Sequence, residues 1–343
     1  MLDYHKLLNR PEVHFDMHGV TAFLRGKRVL VTGANGSIGS EICRMLSGYP
    51  IAKLVQVFRS ERGLFNCAGL HDDHGIIENC IGDITDSARM DYIFRTTQPN
   101  LVFHAAAHKH VPLMERYPGE AVKNNVFGTQ VVVSACVRYG AQLVFVSTDK
   151  ASNPTSVMGA TKRAAEICVQ RASTGHDGFC MARLINVIGS SGSVLEIWKR
   201  QLERGEQLTV THPEMTRYFM TMRESALLLL KAASIAKGNE RFVFDMNIPT
   251  RIIDLADRFQ AESGVERDLL LTIIRPGEKI HEDSPCDETE NVISSGIRVI
   301  YLSEQEDFLS RLNRVVNATS DQAIDALQFC LPEYRPKSLG MSK

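Results

Sequence analysis

Residues 28–39, Arg-Val-Leu-Val-Thr-Gly-Ala-Asn-Gly-Ser-Ile-Gly, restrict the possible folds of this chain more than any other stretch. The run from Arg28 to Gly33 is too uniformly apolar for a strand with one wet face, so it reads as a buried parallel strand. After Ser37, the residues Ile38, Ile42 and Leu46 recur on one helical face. Between strand and helix lie glycines at 33, 36 and 39. The first permits a tight turn, the second lets a pyrophosphate approach the backbone, and the third lets the helix pack on the strand. The helix start at Ser37 and Ile38 offers unpaired N–H groups to phosphates. Thr32, Gly33, Asn35, Gly36, Ser37, Ile38 and Gly39 are therefore candidate dinucleotide contacts. A glycine-rich turn without a ligand is the competing reading, and the strand–turn–helix setting argues against it.

The rest of the first half repeats this alternation. Strands are expected at 54–58, 76–81, 101–104 and 143–147, with helices at 87–96, 120–139 and 157–172. Units of about 30 residues built this way imply an α/β fold with a doubly wound parallel sheet. After roughly Arg183 the pattern loosens into short strands (208–211, 241–244, 270–274) and helices (194–204, 224–237, 251–263). That suggests a polar lead-in with one short helix over 1–26, a nucleotide-binding Rossmann-like domain over 27–183, and a smaller substrate lobe over 184–336 interleaved with the sheet's last strands. The acidic stretch Glu282–Glu290 reads as a solvated loop.

Composition excludes several classes of function. A net charge of −1 attracts neither nucleic acid nor anionic lipid. The longest apolar run, Ala226–Leu230, is broken by Lys231 and is too short to span a bilayer. The first residues carry acids and histidines where a signal peptide would be apolar. The eight cysteines form no C-x-x-C pair, which fits reduced thiols. A soluble, cytoplasmic protein without membrane contact is expected.

Further binding candidates follow the strand ends. The second strand closes on Phe58, Arg59 and Ser60, where a carboxylate usually grips the adenosine ribose. A guanidinium in its place favours a 2′-phosphate, hence NADP over NAD, the alternative being that Arg59 stacks on adenine or faces solvent. Asp83 and Ile84 follow the third strand as an adenine-side turn. His104, Ala105 and Ala106 end the fourth, leaving room for the cofactor, and Lys109 is a phosphate or nicotinamide-side contact. His104 and His108 have a spacing that can bind zinc on a helix, but a strand end and the lack of a nearby Glu or Cys ligand argue against a metal. Asn125 is placed to hold backbone near the site. Beyond Arg183, Asn186, Gly192, Ser193 and Val194 offer amides and hydroxyls for a diphosphate, with Arg217 and Arg275 as clamps. Taken singly, each arginine is equally an ordinary surface residue.

The segment Val146-Ser-Thr-Asp-Lys-Ala151, followed by Val157-Met-Gly-Ala-Thr-Lys162, resembles the active-site strand and helix of short-chain dehydrogenases/reductases. That group carries Tyr-x-x-x-Lys on the helix, and here Met158 stands at the tyrosine position before Lys162. A thioether cannot exchange protons, so proton transfer falls to Thr148, Asp149 and Lys150. A surface turn with Asp149 paired to Lys150 is the bland alternative.

Together with VLVTGANGSIGSE, HAAAHKHVPLMERYPGEAVKNNVFGT, GSSGSV, LTVTHPEMTRYFMT, RPGEK and LPEYRP, these stretches resemble the nucleotide-sugar 4,6-dehydratases, closest to the catalytic domain of capsule and O-antigen UDP-N-acetylglucosamine enzymes, over roughly residues 5–336. The resemblance implies a redox-neutral C4 oxidation, loss of water across C5–C6 and hydride return to C6, with NAD(P) as cofactor and a UDP-sugar as substrate. It further implies Asp149 as acid to the 6-hydroxyl, Lys150 as base at C5, Thr148 on the 4-hydroxyl, Lys162 on the nicotinamide ribose, and Met158 packing against sugar or nicotinamide. The acid is expected to have a raised pKa and the lysine a lowered one. Glu278 joins Arg275 on the substrate side. Many members carry membrane helices and a further N-terminal domain, and this chain is expected to be the catalytic unit, assembled as a homo-oligomer. Asn35, Phe58, Leu184-Ile185 and the shortened segment after Glu278 depart from the pattern and bear on which sugar is accepted. The alternatives are a C4 epimerase, a C5-inverting dehydratase and a catalytically silent NAD(P)-binding regulator.

Overall fold

The computed structural model of the chain describes residues 2–67, 75–244, 248–283, 291–294, 297–301 and 320–336. Six strands run through the first half: β1 (Arg28–Thr32), β2 (Lys53–Phe58), β3 (Ile77–Ile81), β4 (Leu101–His104), β5 (Gln142–Thr148) and β6 (Phe179–Leu184). In the second half, β7 (Asn186–Val187), β8 (Leu208–Val210), β9 (Thr216–Arg217), β10 (Phe219–Met220), β12 (Thr250–Arg251) and β13 (Leu269–Leu271) form three two-stranded ribbons. The remaining strands, β11 (Glu240–Phe244), β14 (Asn291–Ser294) and β15 (Ile297–Tyr301), join the main sheet.

That sheet has nine strands in the order β14-β15-β11-β6-β5-β4-β1-β2-β3. The pairings from β3 through β11 are parallel, whereas β15 and β14 add on antiparallel. Strand alternation sorts side chains to the two faces. Val29 and Val31 pack on one with Ile42 and Leu46 of the helix Ser37–Leu46 and Leu228 to Leu230 of the helix Met222–Ile235. Leu30 packs on the other with Ile93 and Phe94 of Ser87–Thr97, Val132 of Gly128–Tyr139 and Val169 of Val157–Ser173. Both faces are covered, as a parallel sheet requires. The sheet order reverses between β1 and its neighbours β2 and β4, and a crevice at such a switch point is the usual ligand site.

Several features differ from the sequence expectation, among them the helices Glu61–Cys67, Val111–Arg116 and Ser320–Cys330, which the pattern did not mark. Strand β6 was not anticipated, because Arg183 interrupts its apolar run. Buried inside the sheet, Arg183 is neutralised by Glu166, its Nε at 2.9 Å from Oε1 and its Nη2 at 3.0 Å from Oε2. The single helix expected over 120–139 is three pieces, Pro118–Val122, a π-helical turn Lys123–Phe127, and Gly128–Tyr139. The lead-in is not simply polar. It holds two short helices, Tyr4–Leu8 and Val20–Leu24, whose Leu7 and Leu24 are buried. Arg10 reaches both oxygens of buried Glu224 at 2.7 Å, tying the lead-in to the helix Met222–Ile235. A smaller core around Trp198 and Phe259 organises the second-half lobe. No helix among the described residues is long and apolar enough to cross a membrane.

Candidate active site

At the carboxyl ends of β1 and β4 lies a groove of about 230 Å³, lined by Gly33, Asn35, Gly36, Arg59, Ser60, Ile84, Ala105 and Ala106 among others. Gly33 has φ +67°, and a Cβ there would stand 2.8 Å from the Ala106 Cα. A Cβ on Gly39 would stand 2.2 Å from the Gly33 carbonyl oxygen, so only glycine lets helix and turn meet. The helix Ser37–Leu46 starts after Gly36 with no side-chain cap, which leaves its first amides for an anion. This groove fits a dinucleotide: backbone approaches closely, small residues form the floor, and a helix start faces the turn.

Other expected cofactor contacts sit differently. Thr32 and His104 are fully buried, with Thr32 Oγ1 2.7 Å from His104 Nδ1, and His104 Nε2 3.0 Å from Thr129 Oγ1. They brace β1 against β4 and the following helix beneath the groove and do not line it. Burial, followed by the charge of Lys162, pushes the His104 pKa down to about 3, so the ring is neutral. The Ser37 hydroxyl accepts a hydrogen bond from the Ser191 amide at 2.8 Å. Ser60 caps the next helix, accepting from the Gly63 amide at 3.2 Å. Asp83 Oδ1 holds its own turn, accepting from the Thr85 amide and hydroxyl at 2.8 Å. Arg59 is exposed at the groove edge. Asn125 accepts from the His108 amide (2.8 Å) and donates to the His108 carbonyl (3.0 Å), fixing the backbone beside Lys109.

A second cluster forms where β5 ends. Thr148 donates to Asp149 Oδ1 at 2.8 Å, and the Lys150 amide donates to the same oxygen at 2.9 Å. Lys150 Nζ donates to Asp149 Oδ1 and to Asn186 Oδ1, each at 3.1 Å, and lies 2.7 Å from Glu282 Oε1. Asn186 closes the ring, donating to Glu282 Oε2 at 2.6 Å. The helix Val157–Ser173 packs directly on this turn. A Cβ on Gly159 would lie 2.2 Å from the Lys150 carbonyl oxygen. Met158 is buried in the cluster containing Met114, Val126 and Tyr334. Lys162 Nζ donates to the Val146 carbonyl at 2.6 Å and lies 3.9 Å from the centroid of the Phe145 ring.

Electrostatics correct the expected directions. Burial raises the Asp149 pKa, but the Lys150 charge and the hydrogen bonds from Thr148 and Lys150 help to outweigh it, and the net shift is downward. Burial lowers that of Lys150, but Asp149 and Glu282 outweigh it, and the net shift is upward. The strongly depressed lysine is Lys162, which burial pushes down to about 7. Glu282 is raised, by burial first and then by Asp149. Asp149 and Lys150 are thus a charged pair, and of the two carboxyls Glu282 holds a proton more readily.

The expected substrate contacts divide. Gly192, Ser193 and Val194 open the helix Val194–Glu203, and a Cβ on Gly192 would meet the His110 ring at 2.4 Å. Lys109, Arg275 and Glu196 lie within electrostatic reach of His110. Arg275 is exposed and pairs with Glu278 at 2.6 Å. Asn186 does not belong to a diphosphate cradle, because its amide is engaged by Lys150, Glu282 and the Tyr218 carbonyl. Nor is Arg217 a free clamp: it donates to the carbonyls of Thr216, Lys279 and Ile280, and its Nε lies 3.3 Å from Glu282 Oε1.

Sequence reasoning missed Glu282, reading it as the start of a solvated acidic loop. Its side chain is only 7% exposed, whereas residues 284–290 lie outside the described residues. No local pattern marks it. The segment before it is held against β9, where the Thr216 amide donates to the Ile280 carbonyl and Arg217 donates to the carbonyls of Lys279 and Ile280. Gly159 was also missed, although a glycine between Met158 and Lys162 on a helix is itself a signal of close approach.

The chain has relatives known in sequence and in structure. A family described as "Polysaccharide biosynthesis protein" matches residues 29–302. The probable polysaccharide biosynthesis protein EpsC of Bacillus subtilis is 43% identical over 81% of this chain and 48% of its own length. The chain thus spans about half the length of such curated relatives. A UDP-N-acetylglucosamine 4,6-dehydratase (inverting) of Campylobacter jejuni is 31% identical over 88% of both chains. Relatives named UDP-glucose 4-epimerase also match. The crystal structure of Pen from Bacillus thuringiensis superposes with a TM-score of 0.75 at 31% identity, covering 81% of this chain and 90% of that one.

Proposed function

The chain belongs to the polysaccharide biosynthesis protein family, and from that premise we propose that it is a nucleotide-sugar 4,6-dehydratase acting on UDP-N-acetylglucosamine. The observation that carries the reading is the hydrogen-bonded centre of Thr148, Asp149 and Lys150 at the end of β5, beside a residue, Met158, unable to exchange a proton. An epimerase needs only oxidation and re-reduction at C4. An acid and a base side by side serve elimination.

Gly33, Gly36 and Ala106 would hold NAD(P)⁺, which when bound would supply a reversible hydride acceptor. The chain's own residues handle the protons. Asp149 starts ionised, which suits it to take the 4-hydroxyl proton through the Thr148 hydroxyl 2.8 Å away. Once protonated and neutral, Asp149 becomes the acid that delivers this proton to the departing 6-hydroxyl, and one proton serves both steps. Lys150 takes the C5 proton, made acidic by the neighbouring ketone. Arg59, at the groove edge where a ribose-binding carboxylate usually stands, favours the 2′-phosphate of NADP.

The test is to incubate the purified protein with UDP-N-acetylglucosamine and NAD(P)⁺ and follow the sugar by mass spectrometry. Loss of one water without build-up of reduced cofactor is expected. An isomer of unchanged mass would make the protein an epimerase, and unaltered sugar with bound cofactor a silent binder.

A further inference from the structure

Lys150 poses a problem for its own role. An amine that is to take the C5 proton must first be neutral, yet Lys150 Nζ lies between two carboxylates, 3.1 Å from Asp149 Oδ1 and 2.7 Å from Glu282 Oε1. The site contains no histidine among these contacts and no water route is needed if one of the neighbours takes the proton. Asp149 is the poorer acceptor, since Thr148, the Lys150 amide and Nζ all donate to its Oδ1. Among the described residues its Oδ2 is buried without a donor, and Glu282 faces Asp149. A proton on Glu282 would supply the donor that Asp149 lacks.

We propose that Glu282 acts through Lys150 as its proton-holding partner: when the sugar enters, the ammonium proton passes from Lys150 Nζ to the Glu282 carboxylate and frees the amine for C5. This inference rests on the dehydratase reading above. Among the described residues, the charged and titratable groups facing Glu282 are Asp149 and Lys150 from the turn after β5 and Arg217 from β9. Asn186 from β7 donates to its Oε2. The transfer conserves charge: Lys150 becomes neutral as Glu282 becomes neutral, and Asp149 keeps the hydrogen bonds from the Thr148 hydroxyl and the Lys150 amide. Entry of a sugar removes water from the pair, and loss of water favours the neutral forms of both acid and amine. Burial already holds the Glu282 proton affinity above the ordinary carboxyl range.

The proton ledger then closes. The 4-hydroxyl proton goes through Thr148 to Asp149 and leaves in water with the 6-oxygen. The C5 proton goes to the Lys150 lone pair as the C5–H electrons form the C5=C6 bond and the C6–O bond breaks. On hydride return to C6, Lys150 gives a proton back to C5, and Glu282 restores the Lys150 proton when product leaves.

Glu282→Gln keeps the size and can still accept a hydrogen bond from Asn186 or Lys150, but it cannot hold the proton. In deuterated buffer with UDP-N-acetylglucosamine, this variant is expected to reduce its bound cofactor in a single turnover much as the unaltered protein does. Exchange of the C5 proton with solvent should fall about 10²-fold or more. That residual exchange should climb with pH, because the Lys150 proton then leaves only to solvent. Glu282→Asp should recover part of it. In the unaltered protein loaded with reduced cofactor, which binds the sugar without oxidising it, infrared difference spectra should gain a protonated-carboxyl band that Glu282→Gln lacks. Wild-type exchange in Glu282→Gln, a parallel loss of C4 oxidation, or no such band in the unaltered protein would each overturn the proposal. Unaltered protein that oxidises C4 yet never exchanges C5 would overturn the dehydratase reading itself, and this inference with it.

Discussion

Position 158 shows how one residue redirects the chemistry of a site. Met158 is buried four residues before Lys162, and its sulfur can pack but not titrate. Proton work then rests on groups that can change charge, and their removal should be felt unequally. Lys150→Met is expected to keep cofactor binding while lowering turnover by roughly 10²–10⁴-fold and abolishing C5 exchange. Asp149→Asn should slow C4 oxidation and expulsion of the 6-hydroxyl together, because the proton of both steps passes through its carboxylate, so single-turnover cofactor reduction should fall as well. Met158→Leu keeps the volume and should do far less; equal damage from Met158→Leu and Lys150→Met in folded protein would mean the roles are misassigned. Arg59 offers a separate test. If it meets a 2′-phosphate, Arg59→Ala should weaken NADP by about 1.5–3 kcal/mol and leave NAD nearly unchanged, as measured by titration calorimetry. Equal weakening of both would make it an adenine stacker. These residues were legible because each stands at a strand or helix end whose position follows from local pattern.

Among the elements, the helix Val157–Ser173 matters most, since it carries Met158 and Lys162 and also rests on the turn that bears Asp149 and Lys150. Gly159 is the contact. Adding a methyl group there puts a carbon 2.2 Å from the Lys150 carbonyl oxygen, a backbone atom that cannot rotate aside. Gly159→Ala should therefore shift the turn and lower kcat by about 10²-fold, the usual cost of a 1 Å misplacement, with cofactor affinity little changed. Wild-type kcat in that variant would show that the turn is positioned independently of the helix. The strand and helix bounds in the first half were readable to within a residue or two because both periods are local. Strand β6 was not, since its Arg183 is tolerated only by Glu166 of a distant helix. The π-helical turn Lys123–Phe127 was equally hidden, as nothing in its composition departs from an ordinary helix.

At the scale of the whole molecule, buried ionisable groups couple the fold to pH. His104 is neutral in the folded protein, with its pKa at about 3 against an unfolded value of 6.5. Below 6.5 the unfolded chain binds a proton that the folded one refuses, so stability is full above 6.5 and declines as pH falls toward 3. His108 and His110, also lowered by burial, act with the same sign, whereas Glu115 and Glu282, raised by burial, oppose it. Urea unfolding between pH 6.5 and 4.5 should show a loss approaching about 1.4 kcal/mol per pH unit, and a flat profile would mean that His104 titrates freely. The sequence by itself determined the parallel sheet, its glycine turn and the Thr-Asp-Lys centre, because buried strands, helix faces and tight turns are dictated by residues within a few positions of one another. Only the tertiary structure decided which distant groups complete the site. Asn186 meets Glu282 across 96 residues and Arg10 meets Glu224 across 214. Such pairings leave no local periodicity, since a buried charge is stabilised by whatever partner the finished fold brings to it.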